Sequence, residues 1–206
     1  MSEKIELRKI LSTGLIQSPD TYSGYDYITG KYKNVLFESS NVLFEEEVEE
    51  ENEEGETTIE YEAYFDGRWY VFYFDKPLNG VLQITQSISY IGSGVSKIET
   101  ESIVFNKLFN VYANNELMAF NIITPIMIEK ILHLKKLTRG ALYICFLDNQ
   151  LHVGIDDSKK HLTLKFNEPI NRDNLQYLIA DFEFIVNIID EFKLHTPKFM
   201  NRKKEK

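Results

Sequence analysis

With 206 residues, 43% of them apolar, the chain can bury a substantial core, and its formal charge of -9 is a local property: nine of the 32 acidic residues crowd into residues 45–56, EEEVEEENEEGE. The other 23 acids match 23 Lys and Arg, so the body carries no basic stripe of the kind a nucleic-acid partner needs. No run reaches the length of a membrane-spanning helix, and a lone cysteine, Cys145, excludes an intramolecular disulfide or a CxxC metal knuckle, which makes a reducing cytoplasm the expected compartment.

The opening residues, MSEKIELRKILSTGLIQS, have an early acid and a broken apolar pattern unlike a secretory leader. They predict a short amphipathic helix with Ile10, Leu11 and Leu15 on one side, ended by Ser18-Pro19-Asp20. From Tyr25 to Phe44 the period changes to that of strands: YDYITGKY and VLFESSNVLF predict a long hairpin. The glutamate run of residues 45–56 repels itself and is expected as an exposed loop. It lacks the alternating acids and fixed glycine of an EF-hand calcium loop.

Next come IEYEAYF, Asp66-Gly67 and RWYVFYF, where the Asp-Gly pair predicts a tight type I′ hairpin over residues 59–74. The second arm is apolar on both faces after Arg68 and is expected at the centre of a sheet, with Trp69 partly exposed at the turn and open to a protein partner. A strand in GVLQITQSIS follows, then a polar crossing; residues 103–111 read as a strand with Ile103, Phe105, Phe109 and Val111 on one face, and Asn114-Asn115 as a turn. Asn106, Lys107 and Asn110 receive no structural role in that reading.

Thr124-Pro125 predicts a helix start, with Thr as cap and Pro in the first turn, and Met127, Ile128, Ile131, Leu132 and Leu134 supply its apolar stripe. ALYICFL and QLHVGI predict a second hairpin around Asp148-Asn149, and HLTLKF a further strand. From Leu175 to Phe192, apolar residues at spacings of three and four predict a long carboxy-terminal helix. Residues 1–197 are therefore expected as one α+β domain, a largely antiparallel sheet of about eight or nine strands with an internal helix and a long C-terminal helix packed on it, and residues 198–206, KFMNRKKEK, as a basic flexible tail.

The phosphate-cradling, nucleophile-elbow and helical zinc motifs do not occur, and the Gly-Ser-Gly within ISYIGSGVS reads as a plain loop. Strand parity turns His152, His161 and Asp156 away from the core face of Leu151, Val153 and Ile155, on a polar and exposed strand surface that is too thin a ligand set for a metal. Cys145 reads as a buried, inert thiol and His133 as a core or boundary residue. No catalytic, cofactor-binding or metal residue is assigned.

The ordered segments YSGYDYITGKYKNVLFES, FDGRWYVFYFDKPLNG, FNKLFNVYANN, ITPIMIEKIL, DNQLHVGI and FNEP resemble a bacterial domain-of-unknown-function family, number 3137. That resemblance implies no activity, cofactor or site residue; many members carry membrane-spanning helices ahead of the domain, where this sequence has a short amphipathic segment. The expected function is a non-enzymatic cytoplasmic binding or scaffold domain acting through protein contacts, with any membrane association peripheral at the inner face. The alternative is an enzyme whose site assembles from sequence-distant residues such as these histidines and Asp156, for metal-assisted hydrolysis.

Overall fold

The computed structural model describes residues 4–51, 57–86, 90–158 and 172–201. Its strands are β1 (Thr21–Tyr32), β2 (Val35–Glu51), β3 (Thr57–Tyr73), β4 (Val81–Thr85), β5 (Ser96–Ile98), β6 (Asn110–Ala113), β7 (Ala141–Leu147) and β8 (Gln150–Asp156). Its helices are α1 (Leu7–Leu11), α2 (Ile103–Leu108), α3 (Glu116–Ile122), α4 (Pro125–Leu137) and α5 (Arg172–Glu191). The eight strands make one antiparallel sheet in the order β1-β2-β3-β8-β7-β4-β6-β5, the α+β architecture the sequence predicts.

Two rows of paired residues explain how the sheet is covered. Phe37, Phe72, Leu151, Phe146 and Leu82 lie in register across five strands, and the parallel row Tyr70, Val153, Ile144, Ile84, Val111 and Ile98 lies two residues away on the same face. Every one of these side chains is buried, in one core with Phe105, Ile122, Ile131, Ile185, Ile189 and Phe192 of the helices. Side chains alternate across a strand, so the intervening row, Glu38, Val71, His152, Cys145 and Gln83, faces the other way. There a second core forms under the segment 5–16, where Ile5, Ile10, Leu15 and Ile16 pack with Phe44, Phe65, Trp69 and Tyr143.

Local signals account for the elements that match expectation. Lys33 and Asn34, both at positive φ, make the two-residue turn from β1 to β2, and Asp148 with φ of 50° opens the turn from β7 to β8. Thr124 caps α4 by accepting from the Met127 N–H at 3.3 Å, with Pro125 in the first turn. Trp69, Tyr70, Val71 and Phe72 are buried on both faces of β3, as the doubly apolar run requires.

Five expectations are corrected. Asp66-Gly67 makes no turn: Asp66 pairs with Leu43 and Gly67 with Val42, so the two runs form one 17-residue strand. The glycine serves close packing there, since a Cβ on it would stand 1.9 Å from the Ile155 carbonyl oxygen. Residues 45–51 are strand rather than loop, paired with residues 57–63, because the ladder offers each backbone group a partner despite Glu46 lying opposite Glu62; residues 52–56 lie outside the described residues. Residues 103–108 are helix, capped by Ser102 and continued by a strand only from Asn110. The Phe105–Phe109 spacing of four brings the two ring centroids to 5.0 Å, tilted at 31°. Asn106 does have a structural role: its side chain accepts from the Thr100 N–H and hydroxyl and donates to the Thr100 carbonyl at 2.7 Å. The predicted HLTLKF strand, FNEP and residues 202–206 lie outside the described residues, while residues 198–201 of the expected flexible tail are docked: Phe199 and Met200 are buried in the core, and the Phe199 carbonyl accepts from the Asp75 and Lys76 N–H groups.

Trp69 rests directly on Gly154, whose added Cβ would stand 2.5 Å from the indole ring. Gly154→Ala is therefore expected to destabilise the fold by about 1–3 kcal/mol, read from the urea midpoint using the fluorescence of the single tryptophan.

Candidate functional site

Two places gather chemistry-bearing or unusual side chains: the polar row beneath segment 5–16, and a groove on the helix-bearing part of the chain.

At the polar row, the short α1 brings Lys9 over β2, where its Nζ lies 2.7 Å from Glu38 Oε1. Tyr27 donates to Glu38 Oε2 at 2.7 Å, Tyr73 donates to Oε1, and Lys9 also donates to the Tyr73 hydroxyl at 3.1 Å. Burial would raise the Glu38 pKa, yet the hydrogen bonds from Lys9, Tyr73 and Tyr27 outweigh it and hold the carboxyl below its ordinary value. For Lys9 burial opposes the charge, and the hydrogen bonds to Glu38 and Tyr73 overcome it, raising the ammonium pKa. Tyr73 is pushed up to about 12, by burial first and then by Glu38. This is a closed four-residue cluster in which each charge has its partner.

One strand pair further on, His152 is fully buried. Its Nδ1 accepts from Trp69 Nε1 at 3.2 Å, which leaves Nε2 to carry the proton and donate to Gln150 Oε1 at 2.8 Å. Burial pulls its pKa from 6.5 to about 3, so the ring is neutral. Strand parity placed this side chain on the correct face, but its expected exposure is wrong, because segment 5–16 covers that face from far away in sequence. Trp69 is corrected in the same way: it is 0% exposed and not available to a partner. Cys145 is buried beside the Thr13 carbonyl, and burial raises its thiol pKa, which keeps it protonated.

His161 lies outside the described residues. Asp156 is half-buried four residues along the strand from His152 and accepts from the Asp66 N–H at 3.1 Å. Burial raises its pKa, with that hydrogen bond opposing. Among the described residues no three His, Cys, Asp or Glu side chains are gathered as a metal would need. His133 is exposed beside a small cleft of about 100 Å³ between α4 and α5.

On the helix-bearing face a third charged element is structural. Arg68, 2% exposed, sits with Nη1 3.0 Å from Asp181 of α5 and donates from Nε to Asn41 at 3.0 Å, while Asn41 donates to Asp26. This chain ties β1, β2 and β3 to the long helix.

The groove is of another kind. It has a volume of about 490 Å³ and is lined by Phe120, Ile123, Pro125 and Ile128, with Glu99 and Glu101 on its rim. Apolar side chains continue on the elements around it: Ile103 is 72% exposed, Leu117 82% and Ile126 58%, with Val104 exposed beside them. Sequence reading missed it by treating residues 103–111 as a strand; the signal was an excess of apolar residues in FNKLFNVYANNELMAFNIITPIM beyond what the buried stripes use. No helix among the described residues is long and apolar enough to cross a membrane. The bent pair α3 and α4 passes by length and composition only together.

A family model described as "Protein of unknown function (DUF3137)" matches residues 63–194, and the chain belongs to that family. No curated protein matches. Among solved structures, the chain is similar to the mycobacterial trehalose monomycolate transport factor A, TtfA, at 9% identity over 87% of this chain and 77% of that one, with a TM-score of 0.46.

The pH dependence of the polar row follows from its signs. His152 has a depressed pKa, so its contribution is full above pH 6.5 and is lost as pH falls towards about 3. Glu38, also depressed, loses its contribution only as pH falls from its ordinary value of 4.5. Between pH 6.5 and 4.5 the wild type is thus expected to lose about 2–3 kcal/mol that His152→Asn does not lose, as measured by urea unfolding at a series of pH values.

Proposed function

We propose that this member of the DUF3137 family is a non-enzymatic binding module whose partner surface is the groove between residues 99–101 and the α3–α4 corner. The carrying observation is the exposure of Ile103, Val104, Leu117, Phe120 and Ile126 on the elements around a single apolar groove. Exposed apolar side chains gathered around a groove mark interaction sites, whereas singly scattered ones do not.

The chemistry of the opposite face supports the same reading. Glu38 and Lys9 neutralise one another, and both ring nitrogens of His152 are engaged away from solvent. These groups hold the fold together, and of them only Lys9 is partly exposed. The glutamate-bearing ribbon of β2 and β3 is too exposed to form a pocket: residues 57–63 are all exposed. Localisation follows the partner, with a cytoplasmic setting the reading that fits the single thiol.

A photo-crosslinking amino acid placed at Phe120 in cells is expected to give a discrete protein adduct, and one at Tyr61 on the acidic ribbon none. Leu117→Ser with Ile126→Ser should reduce the Phe120 adduct at least about tenfold without lowering thermal stability, since both side chains are more than half exposed. Equal adducts at both positions, or none at Phe120, would refute the assignment.

A further inference from the structure

Resting on that docking face, we infer that its partner is a cationic amphipathic helix, an apolar stripe flanked by Lys or Arg. Three observations lead there. First, the groove volume of about 490 Å³ far exceeds that of the clefts near Tyr64 and His133, about 120 and 100 Å³. It has room for several large side chains, the anchors that a helix presents at positions i, i+3 and i+7. Second, Ile103, Val104 and Leu117 are exposed on α2 and α3 outside the groove's lining, and an elongated apolar stripe has the length to reach them where a small ligand does not.

Third, charge selects among apolar partners. The residues lining the groove include two carboxylates, Glu99 and Glu101, and no Lys, Arg or His. Glu116 opens α3, and the exposed cations on neighbouring elements stand outside the lining: Lys107 on α2, Lys97 on β5, and Lys198, which donates to the Asn121 carbonyl at 2.6 Å. An anionic lipid surface approaching this rim meets like charge, which argues against a membrane as occupant. A helix with cationic flanks pairs with Glu99 and Glu101 while its stripe enters between Phe120 and Ile128.

The test uses the full chain and three probes: a fluorescent Leu/Lys amphipathic peptide, its Leu/Glu counterpart and phosphatidylglycerol vesicles. Because a cationic peptide is also attracted to the glutamate ribbon, a control protein carries Gln at Glu45, Glu46, Glu47 and Glu49. The inference expects saturable one-to-one binding of the Leu/Lys peptide by both wild type and control. Phe120→Asp should weaken it at least about tenfold, and Glu99→Lys with Glu101→Lys should transfer the preference to the Leu/Glu peptide.

If the Leu/Glu peptide binds wild type equally well at Phe120, the cationic partner is overturned while the docking face stands. Loss of Leu/Lys binding in the ribbon control places the contact on the glutamates and overturns the inference. Vesicle binding that depends on Phe120, with neither peptide bound, overturns it in favour of a lipid surface. If no probe binds and crosslinking at Phe120 is also negative, both the inference and the docking face fall.

Discussion

The sheet of this protein has to be covered on both sides, and the rest of the structure follows from how that is done. Strand β3 carries Tyr70 and Phe72 to one face and Trp69 and Val71 to the other, all buried. The helices supply one cover, apolar apart from the Arg68–Asp181 ion pair. The other is provided by a segment of about a dozen residues, only five of them helical, whose aliphatic side chains are packed into the second core. Burying Ile5, Ile10, Leu15 and Ile16 contributes about 1.5–3 kcal/mol apiece as an upper estimate. The polar row then fixes where that segment sits. Lys9 meets Glu38, and the Thr13 carbonyl accepts from Gln83 at 2.6 Å. Gly14, at a positive φ, accepts from the Gly92 N–H at 2.8 Å in a backbone approach too close for a side chain.

Titratable groups are thereby consumed by architecture. A neutral histidine locked between tryptophan and glutamine and a carboxylate held by lysine and two tyrosines have the shifted pKa values that elsewhere mark an active site. Here the same shifts arise from burial and from hydrogen bonds within the fold. On the helix-bearing side α2, α3 and the start of α4 leave Ile103, Val104, Leu117, Phe120 and Ile126 exposed, the surface proposed for docking.

How much of this could be read from the sequence depended on the range of the interaction involved. Helix α4 and the turns at Lys33-Asn34 and Asp148-Asn149 are encoded within a few residues, and Ile185 and Ile189 of α5, with Phe192 just past its end, follow directly from periodicity. Asp66-Gly67 misled because glycine answers two different needs: a turn's positive φ, or the close approach of Ile155 from a strand nearly ninety residues away. Parity gave the face of His152 but not its burial, since the residues that bury it come from segment 5–16. The groove stayed hidden for a related reason: Glu99 and Phe120 become neighbours only when α2 and β6 fold back between them.

The Lys9–Glu38 contact secures one cover of the sheet independently of the helix-bearing side. Amide hydrogen exchange of wild type and Glu38→Gln tests it most directly. The account predicts that residues 5–16 lose protection in the variant while residues 116–134 keep theirs. Unchanged protection over residues 5–16, or an equal loss in both regions, would contradict it.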